Sequence, residues 1–268
     1  MNRTRLNVHN ILNTGLMYVL LCNFLFFEVN AQQPENNNEI PFSENDEGFL
    51  PIFDGKTLTD WIGDPTYWRV ENGNLVGEIT PETILKTNSF IIWQGDQPTD
   101  FELKLEYRIS EAGNSGINYR SELIADMSFA LRGYQADIDG KNRYTGQNYE
   151  ERKRTTLAYR GEKVSIENKD SLVDLKSNIE KNCWQIREVL ESLGDSDVLK
   201  SEIKNGEWNQ VHLIIKGNRL QHYVNAVLMS EVIDNDLINQ AFSGYLGVQV
   251  HVGPPMKVEY RNILLKKL

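Results

Sequence analysis

Cysteine is nearly absent: the 268 residues hold two, Cys22 and Cys183. Only Cys183 falls in the part of the chain that reads as folded, so no internal disulfide is available there. With four histidines and two cysteines, no Cys/His cluster of zinc spacing can be assembled either. Positive charge is also short, with 28 Lys and Arg against 38 Asp and Glu, a net charge of −10. An acidic chain of this size is a poor partner for nucleic acid, because it has few cations with which to release phosphate counterions. Internal repeats are missing, which excludes solenoids and propellers. Only one long apolar run exists, and it is near the N-terminus.

That run is Ile11–Phe27. Arg3 and Arg5 precede it, and Val29-Asn30-Ala31 fits a small-residue cleavage site before Gln32. Residues 1–31 therefore read as a signal peptide, and the protein as exported to the periplasm or beyond, with no stable membrane span after cleavage. An uncleaved N-terminal anchor is the alternative, since the run is near the lower length limit for a span. Lipidation at Cys22 is disfavoured because Leu21 before it is not small. Without residues 1–31 the balance is 26 basic against 37 acidic residues, or −11. Residues 32–47 are polar, with three consecutive Asn and two Pro, and read as a flexible linker. The folded domain is expected over 48–268.

From Gly48 the texture becomes aromatic and β-branched. Asp54-Gly55 and Asn72-Gly73 read as hairpin turns, as do Gly217-Asn218 and Asn225-Ala226. Phe101–Ile109 alternates cleanly, with Phe101, Leu103, Leu105 and Tyr107 on one side and Glu102, Lys104, Glu106 and Arg108 on the other. Counting such segments gives about eleven or more short strands, the spacing of a β-sandwich or barrel. Trp61, Trp68 and Trp208 are expected to fill its core. One segment differs. Leu172, Leu175, Ile179, Cys183, Ile186, Leu190 and Leu193 fall three or four apart, which predicts an amphipathic helix over about 171–193, stopped at Gly194 and packed by its apolar stripe. Cys183 lies on that stripe and reads as a buried small hydrophobe rather than a nucleophile.

Three strand-like pieces carry polar residues on one face only. In GINYR, Asn118 and Arg120 oppose Ile117 and Tyr119. In GYQADID, Gln135, Asp137 and Asp139 oppose Tyr134, Ala136 and Ile138. In VQVHV, Gln249 and His251 oppose Val248, Val250 and Val252. Side chains alternate along a strand, so these are half-buried strands with a functional outer side. A merely soluble face would more often carry Lys, Glu and Thr. The segment 144–160, with Tyr144, Tyr149, Glu150, Glu151, Arg152, Lys153 and Arg154, offers groups to rim a pocket. Tyr149, Trp93 or Trp68 could supply aromatic platforms for a sugar.

A set of motifs now appears in order: FDGKTLTDW, WRVENGNLVG, GNSGINYR, GYQADID, YTGQNYEER, AYRGEKV, EWNQ and VQVHVGPPMKVEYRNI. Together, from about Gly48 to Leu268, they resemble the 3-keto-disaccharide hydrolase domain family. The resemblance implies a concanavalin A-like jelly roll, a β-sandwich of two antiparallel sheets whose concave face receives sugar. Many relatives read Tyr-Glu-x-Gln where this chain has Tyr134-Gln135-Ala136-Asp137. The carboxylate has thus moved two residues along the strand while keeping its face.

The implied activity is cleavage of glycosides already oxidised to a ketone at sugar C3. That ketone acidifies the C2 proton, so a base can form an enolate, which expels the C1 substituent; addition of water then gives net hydrolysis. Such a site needs a base, an oxyanion stabiliser and a proton source. Asp137 and His251 are assigned as base and acid, in either order, and Arg120 as enolate stabiliser. Asn118, Gln135, Asp139, Tyr149, Glu151 and Gln249 are assigned to substrate. A divalent metal held by Asp137, Asp139 and His251 is the alternative stabiliser. A non-catalytic, lectin-like carbohydrate-binding module is the alternative reading of the whole domain, since jelly rolls host both.

Overall fold

The strand Phe101–Ile109 shows how the molecule is built: its residues are alternately buried and half-exposed along all nine positions. One face of each strand is apolar and must meet another layer, which a second sheet supplies. The computed structural model describes residues 47–168 and 183–268. The expected signal peptide and all but the last residue of the expected linker lie outside them. Among the described residues no helix is long and apolar enough to cross a membrane.

Seventeen strands follow in order: β1 (Leu50–Pro51), β2 (Trp61–Ile62), β3 (Trp68–Glu71), β4 (Asn74–Ile79), β5 (Ser89–Trp93), β6 (Phe101–Ile109), β7 (Asn114–Leu123), β8 (Leu131–Asp139), β9 (Asn148–Glu151), β10 (Thr155–Ala158), β11 (Glu162–Glu167), β12 (Ile186–Ser192), β13 (Asn209–Lys216), β14 (Arg219–Val224), β15 (Val227–Asp234), β16 (Tyr245–Val250) and β17 (Met256–Lys267). The larger sheet runs β12-β11-β15-β14-β13-β6-β17-β4-β3, with β1 added beside β17. The smaller runs β10-β9-β8-β7-β16-β5-β2. This is an all-β sandwich, as the strand count and the resemblance both implied. Among the described residues all strand pairings are antiparallel except β11 with β15, which is parallel and qualifies the expectation of two purely antiparallel sheets.

The core lies between the sheets. Leu103, Leu105 and Tyr107 of β6, Leu213 and Ile215 of β13 and Tyr260 of β17 meet Ile117 and Tyr119 of β7, Tyr134 and Ile138 of β8 and Val248 of β16. Asn72-Gly73 does form the β3–β4 hairpin, with φ of 52° and 79°, the left-handed pair a two-residue turn requires. Asp54-Gly55 does not form a hairpin. The Asp54 carboxylate accepts hydrogen bonds from the Lys56 and Thr57 backbone N–H groups at 2.8 Å, and the chain crosses from β1 in one sheet to β2 in the other. Trp61 and Trp68 are buried. Trp208 is not in the core: its ring lies under the guanidinium groups of Arg108 and Arg261, 4.9 and 4.0 Å away.

The expected helix is overturned over its second half. Residues 186–192 are β12, an edge strand paired antiparallel to β11; residues 171–182 of the expected helix lie outside the described residues. The periodicity of Ile186, Leu190 and Leu193 suited a helix, but the open edge of β11 offers these residues a full set of backbone partners, and tertiary pairing overrides a weak pattern. Arg187 pairs with Glu162, and Lys163 with Glu191. Leu190 is 46 % exposed, so no stripe is buried here, whereas Cys183 is buried as expected. The helix α1 (Ser196–Ser201) was not foreseen. Asp195 caps it, its carboxylate accepting from the N–H groups of Asp197 and Val198.

Candidate active site

Strands β8, β7 and β16 are consecutive in the smaller sheet. Their registers place Asn118 beside Gln135, Gly116 beside Asp137, and Gly247 beside Asn118. On the next strand, β9, Tyr149 lies beside Gln135 and Glu151 beside Gly133. Cross-strand partners share a face, so Asn118, Gln135, Asp137, Gln249, Tyr149 and Glu151 form one polar patch. It lies on the side of the sheet away from the core. Phe90 and Ile92 of β5 and Leu131 form an apolar cluster with Tyr245 at one margin of the same face.

The patch is not a solvated surface. Asn118 and Gln249 are wholly buried, and Gln135 is nearly so. Both polar atoms of the Asn118 side chain lack a hydrogen-bond partner, as does Oε1 of Gln249. Buried polar groups are normally paired, so unmet ones point to a missing ligand. Gly116 leaves room for Gln135, whose side chain would stand 2.4 Å from any Cβ at that position. Lying there, Gln135 receives Nε2–H from Gln249 at 3.3 Å and donates its own Nε2–H to Asp137 at 2.6 Å.

Asp137 is the centre of this patch. Burial pushes its carboxyl up from 3.8 to about 7, against the pull of amide donors on Gln135 and Gln147; the negative charges of Glu151 and Asp139 push in the same direction as burial. A carboxyl with that pKa can both take and return a proton near neutral pH. Gln147, which sequence reasoning missed, donates to the other Asp137 oxygen. Its two-residue spacing from Tyr149 and Glu151 was the available signal. Gln147 is itself held from the core side, where His222 Nδ1 lies 3.4 Å from its carbonyl oxygen. Burial pushes the pKa of His222 down to about 3, so the ring is neutral. With Nδ1–H donating to Gln147, Nε2 accepts from the Tyr119 hydroxyl at 2.8 Å.

The family model described as the 3-keto-alpha-glucoside-1,2-lyase-like domain matches residues 48–266. The chain belongs to this family. A curated relative, the 3-keto-disaccharide hydrolase of Bacteroides thetaiotaomicron, is 32 % identical over 85 residues, which is 29 % of this chain and 29 % of that protein. The match thus spans under a third of the relative's length. Two crystal structures, each of a putative glycosyl hydrolase from Parabacteroides distasonis, share the fold. One has a TM-score of 0.52 at 17 % identity, covering 85 % of this chain and 98 % of that one. The other has a TM-score of 0.52 at 16 % identity, covering 82 % and 99 %.

Within this lyase-like domain, not every expected site residue joins the patch. Arg120 does not. A bulge in β7 gives it a φ of +43° and breaks the alternation. Its guanidinium runs to the far sheet, donating to the carbonyl oxygens of Thr99, Gly217 and Ala241 and to the Asp100 carboxylate. With its donors taken, Arg120 is a structural tie and not an enolate stabiliser. Asp139 is also committed: its Oδ1 accepts from the N–H groups of Tyr144 and Thr145, closing the turn after β8. Strand β16 ends at Val250, so His251 and Val252 lie beyond it, and Val252 is 38 % exposed rather than core-facing.

Among the described residues no three His, Cys, Asp or Glu side chains come together as metal ligands. The expected trio of Asp137, Asp139 and His251 is therefore not assembled; both Asp137 oxygens and Oδ1 of Asp139 are occupied by N–H donors. Glu150 and Arg154, expected at a pocket rim, instead lie between the sheets. There Arg154 bonds Glu150 at 2.5 Å and Asp234 at 2.6 Å. Glu151 remains on the patch, where it accepts from Asn88 Nδ2 at 3.0 Å. No sequence signal singled out Asn88.

Proposed function

We propose that this protein is an exported carbohydrate-active enzyme that cleaves 3-keto-glycosides by elimination across C1–C2, with water then adding to give net hydrolysis. The observation that carries this reading is the Asp137 carboxyl, poised near neutrality one register step along the strands from the unmet amide of Asn118. Family membership supports the substrate class, and the N-terminal pattern supports export.

Asp137 takes the proton from C2 of the keto sugar. Two amide donors hold its carboxylate in one orientation, so the base is positioned before substrate arrives. The electron pair moves onto the C3 oxygen as an enolate. Asn118 Nδ2 offers a free donor to that oxygen, in a buried place where such a bond is strong. The enolate then collapses, the C1–O bond breaks, and the leaving oxygen takes a proton from Asp137 or His251. The free Oδ1 of Asn118 and Oε1 of Gln249 accept from sugar hydroxyls.

The test is to incubate the protein with a 3-keto-glucoside and with its unoxidised parent, following release of the C1 group. Release from the keto form alone, reduced at least about 100-fold in Asp137→Asn, is the expected result. Binding of both compounds without cleavage would make the domain a lectin instead. Mass analysis of the first product, unsaturated or hydrated, separates lyase from hydrolase.

A further inference from the structure

In the smaller sheet β8, β7 and β16 stand between β9 and β5, yet residues of these two flanking strands touch. Asn88, immediately before β5, donates its Nδ2–H to the Glu151 carboxylate of β9 at 3.0 Å. Arg152, immediately after β9, donates Nη2–H to the Thr87 hydroxyl at 2.8 Å. Four strand spacings of about 4.8 Å would hold β5 and β9 about 19 Å apart in a flat sheet. Only side chains leaning toward each other across a curved face can close that gap. Phe90 lies opposite Gln249, and Glu151 opposite Gly133. Asn88, two residues before Phe90, therefore rises from the same face as Glu151 and the patch. The two contacts pass over the strands that carry Asn118, Gln135, Asp137 and Gln249.

We propose that the pairs Asn88–Glu151 and Thr87–Arg152 are a side-chain gate over the patch, shut in this structure, that must open for a ligand to reach Asn118. This rests on the reading of the patch as a ligand site. Asn118 is wholly buried, and its amide has no partner among the described residues. A ligand that satisfies it has to pass what covers it. Exposure falls in that order: Thr87 is exposed, the Arg152 side chain is 29 % exposed, and that of Glu151 is 8 % exposed. The backbone on both banks is tied down. Leu85 packs into the main core, and the Arg154 N–H donates to the Glu150 carboxylate. Side chains are what is left to move. The Val252 N–H donates to Asn88 Oδ1 at 3.0 Å, which fixes the amide so that Nδ2 faces Glu151. The inner pair is a hydrogen bond to a charged group and is the stronger latch. The outer pair lies at the surface, where side chains change rotamer within nanoseconds. Shutting the gate excludes water and holds Glu151, whose charge acts on Asp137, in one place.

The test is hydrogen exchange of the Asn118 side-chain amide with heavy water, read by NMR on the full chain without ligand. It compares the parent with Thr87→Val, Asn88→Ala and Thr87→Glu. Thr87→Val removes the outer bond and should speed exchange severalfold. Asn88→Ala removes the inner latch and should speed it at least about tenfold. Thr87→Glu offers Arg152 a carboxylate in place of a hydroxyl and should slow exchange severalfold. Backbone amides of β6, in the other sheet, should exchange alike in every protein. An Asn118 rate unchanged across the series would overturn the gate. So would a rise shared by the β6 amides, which would report general loosening instead. Thr87 is at the surface, so its two variants keep the test open even if Asn88→Ala fails to fold. The readout needs no turnover: a 3-keto-glucoside left uncleaved by the parent would remove the enzymatic reading, while graded exchange at Asn118 would still support the gate.

Discussion

Replacing Asp137 with asparagine should change how stability depends on pH, and the size of the change can be worked out from the structure. An aspartate in the unfolded chain loses its proton near 3.8; in the folded protein Asp137 keeps it to about 7. Between those values the folded state binds the extra proton. Raising the pH through that window therefore costs the folded state and not the unfolded one. The stability associated with this group is fully present below pH 4 and lost as the pH climbs past 7. At about 1.4 kcal/mol per pH unit, the interval comes to on the order of 4 kcal/mol. Asparagine cannot ionise, so it removes this pH dependence. It also offers one carbonyl oxygen to the two donors on Gln135 and Gln147, which costs about 1–3 kcal/mol at every pH. The variant should thus be less stable than the parent at pH 4 and equal or more stable at pH 8. Urea unfolding of both proteins from pH 4 to 9 reads the difference directly. Parallel stability curves across that range would show that Asp137 ionises normally, and the reasoning about the base would fall with it.

Four further outcomes follow from the same geometry. Gln147→Leu removes a donor that holds the Asp137 pKa down, and Glu151→Gln removes a charge that holds it up; the acid limb of kcat/KM for a 3-keto-glucoside should move to higher pH in the first and lower in the second. Asn118→Ala deletes a buried group with no partner, so turnover should fall at least about tenfold while the melting temperature holds or rises, the usual exchange between site chemistry and stability. Arg120→Met strips donors from three carbonyl oxygens and Asp100, and should cost about 3–5 kcal/mol in chemical denaturation while the folded fraction keeps its activity. Arg154→Met takes the guanidinium away from Glu150, Asp234 and Asp236 between the sheets, leaving Lys153 as the cation at Glu150, and should cost a similar amount, about 3–5 kcal/mol, with a larger loss at high pH than at low.

Alternation was enough to find the sandwich and most of the polar patch. Period-two patterning is a local property, and Phe101–Ile109 or Gly133–Asp139 could bury their apolar sides in only one way. Hence Asn118, Gln135, Asp137 and Gln249 could be placed on one face from sequence, and the three strands do lie side by side. What local pattern could not supply was everything set by distant partners. A single bulge turned Arg120 away from the patch and into the seam between the sheets. The edge of β11 took residues 186–192 as a strand, although their apolar spacing also suited a helix. Burial of Asp137 depends on the whole layer around it, so its pKa could not be read from its neighbours in the chain. The N–H donors that occupy Asp139 come from the turn that follows it, and Gln147 is held by a histidine 75 residues away. Residue order decided which side chains face outward; only the packing of two sheets decided which of those are dry, which are already paired, and which are left to bind something else.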